Sequence, residues 1–100
     1  MEFSEAADNL LATLARMVPE TVRELASASA REEAESIAQE RGAEEIEADD
    51  VMRAWIRTTP PEQRNGLVAV IEDLGLEPER YANDLEDAEG WDDGEPTEGA

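Results

Sequence analysis

The chain has 100 residues with 27 Asp and Glu, 8 Arg and neither Lys, His nor Cys, giving a formal charge of −19 and a pI near 4.1. That length fits one small domain and excludes most large catalytic scaffolds. Without Cys there are no disulfides or thiolate metal sites, and without His the usual zinc ligand and the commonest general base are missing.

Carboxylates, hydroxyls and Tyr81 are left for proton chemistry, so the sequence assigns no catalytic residue, no metal ligand and no cofactor, and predicts a non-enzyme. A duplex carries one negative charge per roughly 1.7 Å, so an anionic surface is repelled unless Arg gathers on one face or salt screens the field. The longest strictly apolar run, Leu67 to Ile71, is five residues, against the roughly 20 of a spanning helix. The start Met-Glu-Phe-Ser-Glu lacks a basic segment. These features predict a soluble cytoplasmic protein with no membrane partner. Basic residues that are all Arg, with Ala at 16 of the 40 apolar positions, match a halophilic, salt-adapted composition. Dense carboxylates compete for water and cations when salt is molar, and screening then mutes their repulsion.

Ser4 is a plausible N-cap for a first helix of about 13 residues, with Phe3, Ala7, Leu10, Leu11, Leu14 and Met17 on one apolar face. Pro19 suits the first turn of a second helix of about 23 residues, whose expected inward positions are Val18, Val22, Leu25, Ala26, Ser29, Ala30, Ala34, Ile37 and Ala38. Gly42 is its expected stop. Ile46 falls in a short extended stretch. A third helix is predicted from Ala48 to Arg57, with Val51, Ala54 and Trp55 inward and Asp49 and Asp50 favoured in its first turn by the free amides and macrodipole. Thr58-Thr59-Pro60-Pro61 breaks the chain before a fourth helix ending at Leu74, where Gly75-Leu76 reads as a Schellman stop. A short helical turn is expected from Pro78 to Ala82. Asn65-Gly66 has no alternating strands beside it, so no hairpin is expected.

The predicted fold class is all-α: a helical domain over residues 1–83, of three main helices and a fourth, followed by a disordered acidic tail over 84–100. Residues 1–83 hold 19 acids and 8 Arg, so acidity belongs to the domain as well as to the tail. Paired acids at Glu32-Glu33, Glu44-Glu45, Asp49-Asp50, Glu72-Asp73 and Asp92-Asp93 read as hydrated surface, and Asp92-Asp93-Gly94-Glu95 lacks the ligand spacing of a calcium loop. Arg53 and Arg57 beside Trp55 could contact phosphate, but Asp49 lies four residues before Arg53, which reads as ordinary pairing along a helix. Only 24 large apolar residues are present in the whole chain, a thin core for this length. A partner protein or a second copy is therefore expected to cover an apolar face formed by Val22, Leu25, Val51 and Trp55.

Pro19, Val22-Arg23, Ala34, Ala38, Arg41-Gly42, Ile46 and Val51 resemble the small helical domain at the C-terminus of the B subunit of light-independent protochlorophyllide reductase, a domain that also occurs in short stand-alone proteins. The similarity covers about residues 4–57. Phe3 stands where a Trp is expected, Glu47 replaces the usual Thr, and the first two helices each look about one turn longer. The resemblance carries over no catalytic residue, because the reductase holds its cluster and substrate mainly in a preceding domain. It implies an interaction module accessory to a tetrapyrrole or redox enzyme. The segment Gly42 to Ala54 is also similar to the end of a histone fold, with a long helix, a short strand and an Asp-Val-x-x-Ala helix in that order. That likeness implies a dimer associated with nucleic acid, although Glu44, Glu45 and Glu47 stand where a histone presents basic residues.

Overall fold

The computed structural model describes residues 1–86, and they are all-α apart from one two-stranded ladder. Of the expected tail, residues 87–100 lie outside the described residues, with Trp91 and Asp92-Asp93-Gly94-Glu95 among them. The chain divides into two units, Met1–Thr58 and Thr59 onward, where the sequence suggests a single domain.

In the first unit, β1 (Glu2–Phe3) pairs in parallel with β2 (Glu45–Ile46), Glu2 opposite Glu45 and Phe3 opposite Ile46. The Ser4 N–H continues the ladder to the Ile46 carbonyl at 2.8 Å. The same residue caps α1 (Glu5–Ala15), its hydroxyl accepting the Ala7 N–H at 3.1 Å. Ser4 therefore joins sheet to helix and fixes the direction in which α1 leaves. Along α1, Ala7, Leu11, Leu14 and Ala15 are buried at the spacing of a single helical stripe.

Pro19 is the N-cap of α2 (Glu20–Glu40), one position before its expected place. The helix ends in a full Schellman motif: the Gly42 N–H donates to the Gln39 carbonyl and the Ala43 N–H to the Ala38 carbonyl, with Gly42 at φ +73°. Its buried stripe is Ala30, Ala34, Ile37 and Ala38. Then α3 (Ala48–Arg57) buries Val51, Met52, Ala54, Trp55 and Ile56.

Two ion pairs set the register of α3 on α2. Asp50 near the start of α3 meets Arg41 at the end of α2, and Arg57 at the end of α3 meets Glu33 at 3.1 Å. At 1.5 Å rise, Asp50 to Arg57 spans about 10 Å and Glu33 to Arg41 about 12 Å. The helices therefore run antiparallel, and α3 lies along the C-terminal half of α2. The N-terminal half of α2 extends beyond that overlap.

This register corrects the expected inward face of α2. Val22 and Leu25 are exposed, as is Met17 of the α1 face. At 100° per residue, Leu25 sits about 180° from Ala34, the centre of the buried stripe, so it points away from α3 as well as lying beyond its end. Regular spacing of apolar residues is present in α2, but its N-terminal members lie on a different azimuth.

The second unit replaces one expected helix by a 3-10 turn at Pro61–Gln63 and α4 (Asn65–Asp73). Asn65 and Gly66 begin α4, consistent with the absence of a hairpin. Gly75, at φ +80°, closes α4 with a second Schellman pair, Gly75 N–H to the Glu72 carbonyl and Leu76 N–H to the Ile71 carbonyl. A 3-10 turn at Pro78–Tyr81 leads into α5 (Ala82–Glu86), which crosses the expected start of the tail at Asp84. Asp84 is buried, and its carbonyl accepts a 2.9 Å hydrogen bond from Arg64 Nη1. Arg64 is buried too and gives Nε to the Thr59 carbonyl. Those bonds close this unit around Leu67, Ile71 and Tyr81.

Candidate functional site

The apolar surface that the first unit leaves uncovered begins at the turn between α1 and α2. There the Met17 and Val18 N–H groups close onto the Leu14 and Ala15 carbonyls. Arg23 then turns inward: Nε donates to the Ala15 carbonyl at 2.8 Å and Nη2 to the Val18 carbonyl at 2.9 Å. A guanidinium capping the carbonyls at a helix C-terminus satisfies acceptors that have no partner within the helix. With Arg23 pinned on the inner side, Leu25, about 200° further round, faces outward.

Leu25 is 71% exposed, Met17 50% and Val22 44%. One turn to either side of Leu25 stand Thr21, Ala28 and Ser29, the first two exposed and Ser29 half-buried, with Glu24 adjacent and Glu32 seven residues on, at nearly the same azimuth. Arg31, the nearest cation in sequence beyond Arg23, stacks over the Phe3 ring at 5.2 Å. The result is an apolar knob in a small-residue surface, with acids at its edge.

The structure divides the four residues proposed for partner binding. Val22 and Leu25 lie on the outward face, whereas Val51 is wholly buried and Trp55 is 7% exposed. Antiparallel registry explains the separation: Trp55 falls between the two ion pairs, beside the region of Glu33, while Leu25 is about 12 Å further along α2. Val51 and Trp55 thus belong to the core. Met17 was missed because a residue at the end of a regular apolar pattern reads as its last inward member. The available signal for Leu25 was its azimuth, about 180° from Ala34, with only Val22 as a large neighbour and Thr21, Ala28 and Ser29 all small.

The first-turn acids of α3 have more structure than a macrodipole contact requires. Asp50 is 1% exposed. It forms a capping box with Glu47, accepting the Glu47 N–H at 2.9 Å, and receives Arg41 Nε at 2.8 Å and Nη2 at 2.6 Å. Burial alone pushes this carboxyl up, but the Arg41 and Glu47 hydrogen bonds, with the charges of Arg41 and Arg53, outweigh it and hold the carboxyl below the ordinary carboxylate range. A general acid at neutral pH needs a shift in the opposite direction. Among the described residues, no three His, Cys, Asp or Glu side chains converge on a metal-sized position. No described helix is long and apolar enough to cross a membrane. A cleft of about 320 Å³ lies in the second unit, between Arg64, Val68, Pro78 and Leu85 among others. Arg64, its buried cation, already serves the Thr59 and Asp84 carbonyls.

The chain matches no family model, no curated protein and no solved structure.

Proposed function

We propose that this chain is a non-enzymatic helical interaction module of a salt-adapted cytoplasm, which uses the N-terminal half of α2 to join a larger assembly. The observation that carries the reading is Leu25, 71% exposed on a well-formed helix whose buried stripe lies on the opposite side. Burying apolar area releases roughly 25 cal/mol per Å², so a large exposed aliphatic group flanked by small residues favours a close-fitting partner surface. The resemblance of residues 4–57 to the protochlorophyllide reductase domain directs the assembly toward a tetrapyrrole or redox enzyme.

A histone-like dimer on nucleic acid has less support. Arg23 and Arg64 bond to backbone carbonyls, and Arg41 and Arg57 to carboxylates, which takes four of the eight basic side chains away from phosphate binding.

Cross-linking mass spectrometry in the source cells tests the reading, comparing the wild-type chain with a Val22→Ser/Leu25→Ser variant. Cross-links from the α2 region to a second protein or a second copy are expected, and they should disappear in the variant. Identical cross-link maps for the two chains would remove the proposed interface.

A further inference from the structure

We propose that the occupant of the α2 face is a cationic amphipathic helix of a partner protein. This rests on the interaction reading above and adds the chemistry of the partner. Leu25 supplies the apolar anchor, and Val22, on the adjacent azimuth, widens it. Thr21, Ala28 and Ser29 keep the surface low, which lets a second helix axis approach to the short end of the usual 8–10 Å.

Charge selects among occupants. Glu24 and Glu32 are exposed about 100° and 20° from Leu25 around the helix. The cations of the same half-helix that could balance them are turned elsewhere: Arg23 to the end of α1, and Arg31 over Phe3. A second copy docked on the same face would bring these carboxylates against their own equivalents, on a chain already carrying −19. A helix with Leu or Ile on one face and Lys or Arg along its edges meets both the anchor and the acids, in the helix-on-helix mode of peptide recognition.

The test is fluorescence anisotropy of the full-length chain with a labelled 18-residue Leu/Lys amphipathic peptide and its Leu/Glu counterpart in 0.1 M KCl, with light scattering of the chain alone. The expected result is binding of the Leu/Lys peptide only. Its affinity should fall at least tenfold in Val22→Ser/Leu25→Ser and severalfold in Glu24→Gln/Glu32→Gln, while Glu44→Gln/Glu45→Gln, with the same charge change away from this face, stays near wild type. Circular dichroism checks that each variant retains its helices. Equal affinity of the wild type and Val22→Ser/Leu25→Ser would overturn the proposal, since attraction would then come from net charge at large. A wild-type dimer that Val22→Ser/Leu25→Ser converts to monomer would also overturn it, in favour of a second copy. In either case, cross-links that depend on Leu25 in cells would leave the interaction reading standing and remove only the cationic helix.

Discussion

Arg41, at the C-cap of α2, grips Asp50, the third residue of α3, with two nearly parallel bonds of 2.8 and 2.6 Å from Nε and Nη2 to the two carboxylate oxygens. The contact joins two helix termini across the loop that contains β2, and it places α3 in register on α2. A bidentate charge-assisted pair has geometric specificity that a single-point contact lacks.

Replacing Asp50→Asn removes the charge while keeping an acceptor for Glu47, and is expected to cost about 2 kcal/mol at neutral pH, as for hydrogen bonds to charged groups. The pH dependence follows from the lowered carboxyl. A group whose folded value lies below its unfolded value, about 3.9 for Asp, contributes fully above that range and loses its contribution as pH falls through the folded value. Unfolding by urea should therefore show a constant gap between wild type and Asp50→Asn from pH 7 to about 5, closing below about 4. Arg41→Met leaves the buried carboxylate without its partner, so its loss at pH 7 should exceed that of Asp50→Asn. Without Arg41 the Asp50 carboxyl loses the hydrogen bonds and charge that do most to oppose burial and moves up, so this variant should regain stability relative to wild type as the pH is lowered. A gap that widens in acid would contradict the assignment.

The contrast between Leu25 and Trp55 gives a second measurement. Leu25→Ser changes an exposed position and should shift unfolding free energy by no more than about 0.5 kcal/mol. Trp55→Ala empties a buried site and should cost about 3–5 kcal/mol. Comparable losses from both would mean that Leu25 packs inside the folded chain.

These two residues also show what the sequence could and could not convey. Ser4, Gly42 and Gly75 were legible because caps and Schellman stops are local chemistry, written within a few residues of the bond they form. The span of α3 was legible for the same reason. The β1 strand was not, because two residues cannot display alternation, and their partner lies more than 40 positions away. Asp84 falls in the expected tail because the bond that ties it down, from Arg64 to its backbone carbonyl, comes from 20 residues away. For the candidate site, periodicity marked Val22, Leu25, Val51 and Trp55 as apolar and helical. Which of them finds cover depends on where α3 lies along α2, a register seen in the Arg41–Asp50 and Arg57–Glu33 pairs, which join side chains nine and 24 residues apart.

Two glycines should respond to alanine with opposite signs. Gly75 has φ +80°, and no atom lies within 4 Å of where a Cβ would stand, so Gly75→Ala meets a backbone cost without a clash. That cost is about 1 kcal/mol for a left-handed residue. Gly66 is the second residue of α4, with equally open space. Gly66→Ala is expected to stabilise by about 0.5–1 kcal/mol, because alanine has less freedom to lose on entering a helix. Thermal unfolding of the two variants should move in opposite directions from wild type.

Salt dependence separates simple screening from salt adaptation. With a net charge of −19 and two of the carboxylates, Asp50 and Glu33, already held by Arg, most remaining acids repel one another across solvent. The Debye length falls from about 10 Å at 0.1 M to about 3 Å at 1 M, so repulsion between surface charges is largely gone by 1 M KCl. The unfolding temperature should rise over that interval. Screening alone then predicts a plateau, whereas carboxylates that organise water and cations predict a continued rise to 3 M. Asp50→Asn should rise nearly in parallel with wild type, because Asp50 is buried and bonds Arg41 by direct contact, so mobile ions act on this pair less than on charges separated by solvent. A plateau at 1 M would assign the acidity to surface charge alone and withdraw the halophilic reading, and a fall in unfolding temperature between 0.1 and 1 M would show that attractive surface pairs outweigh the repulsion.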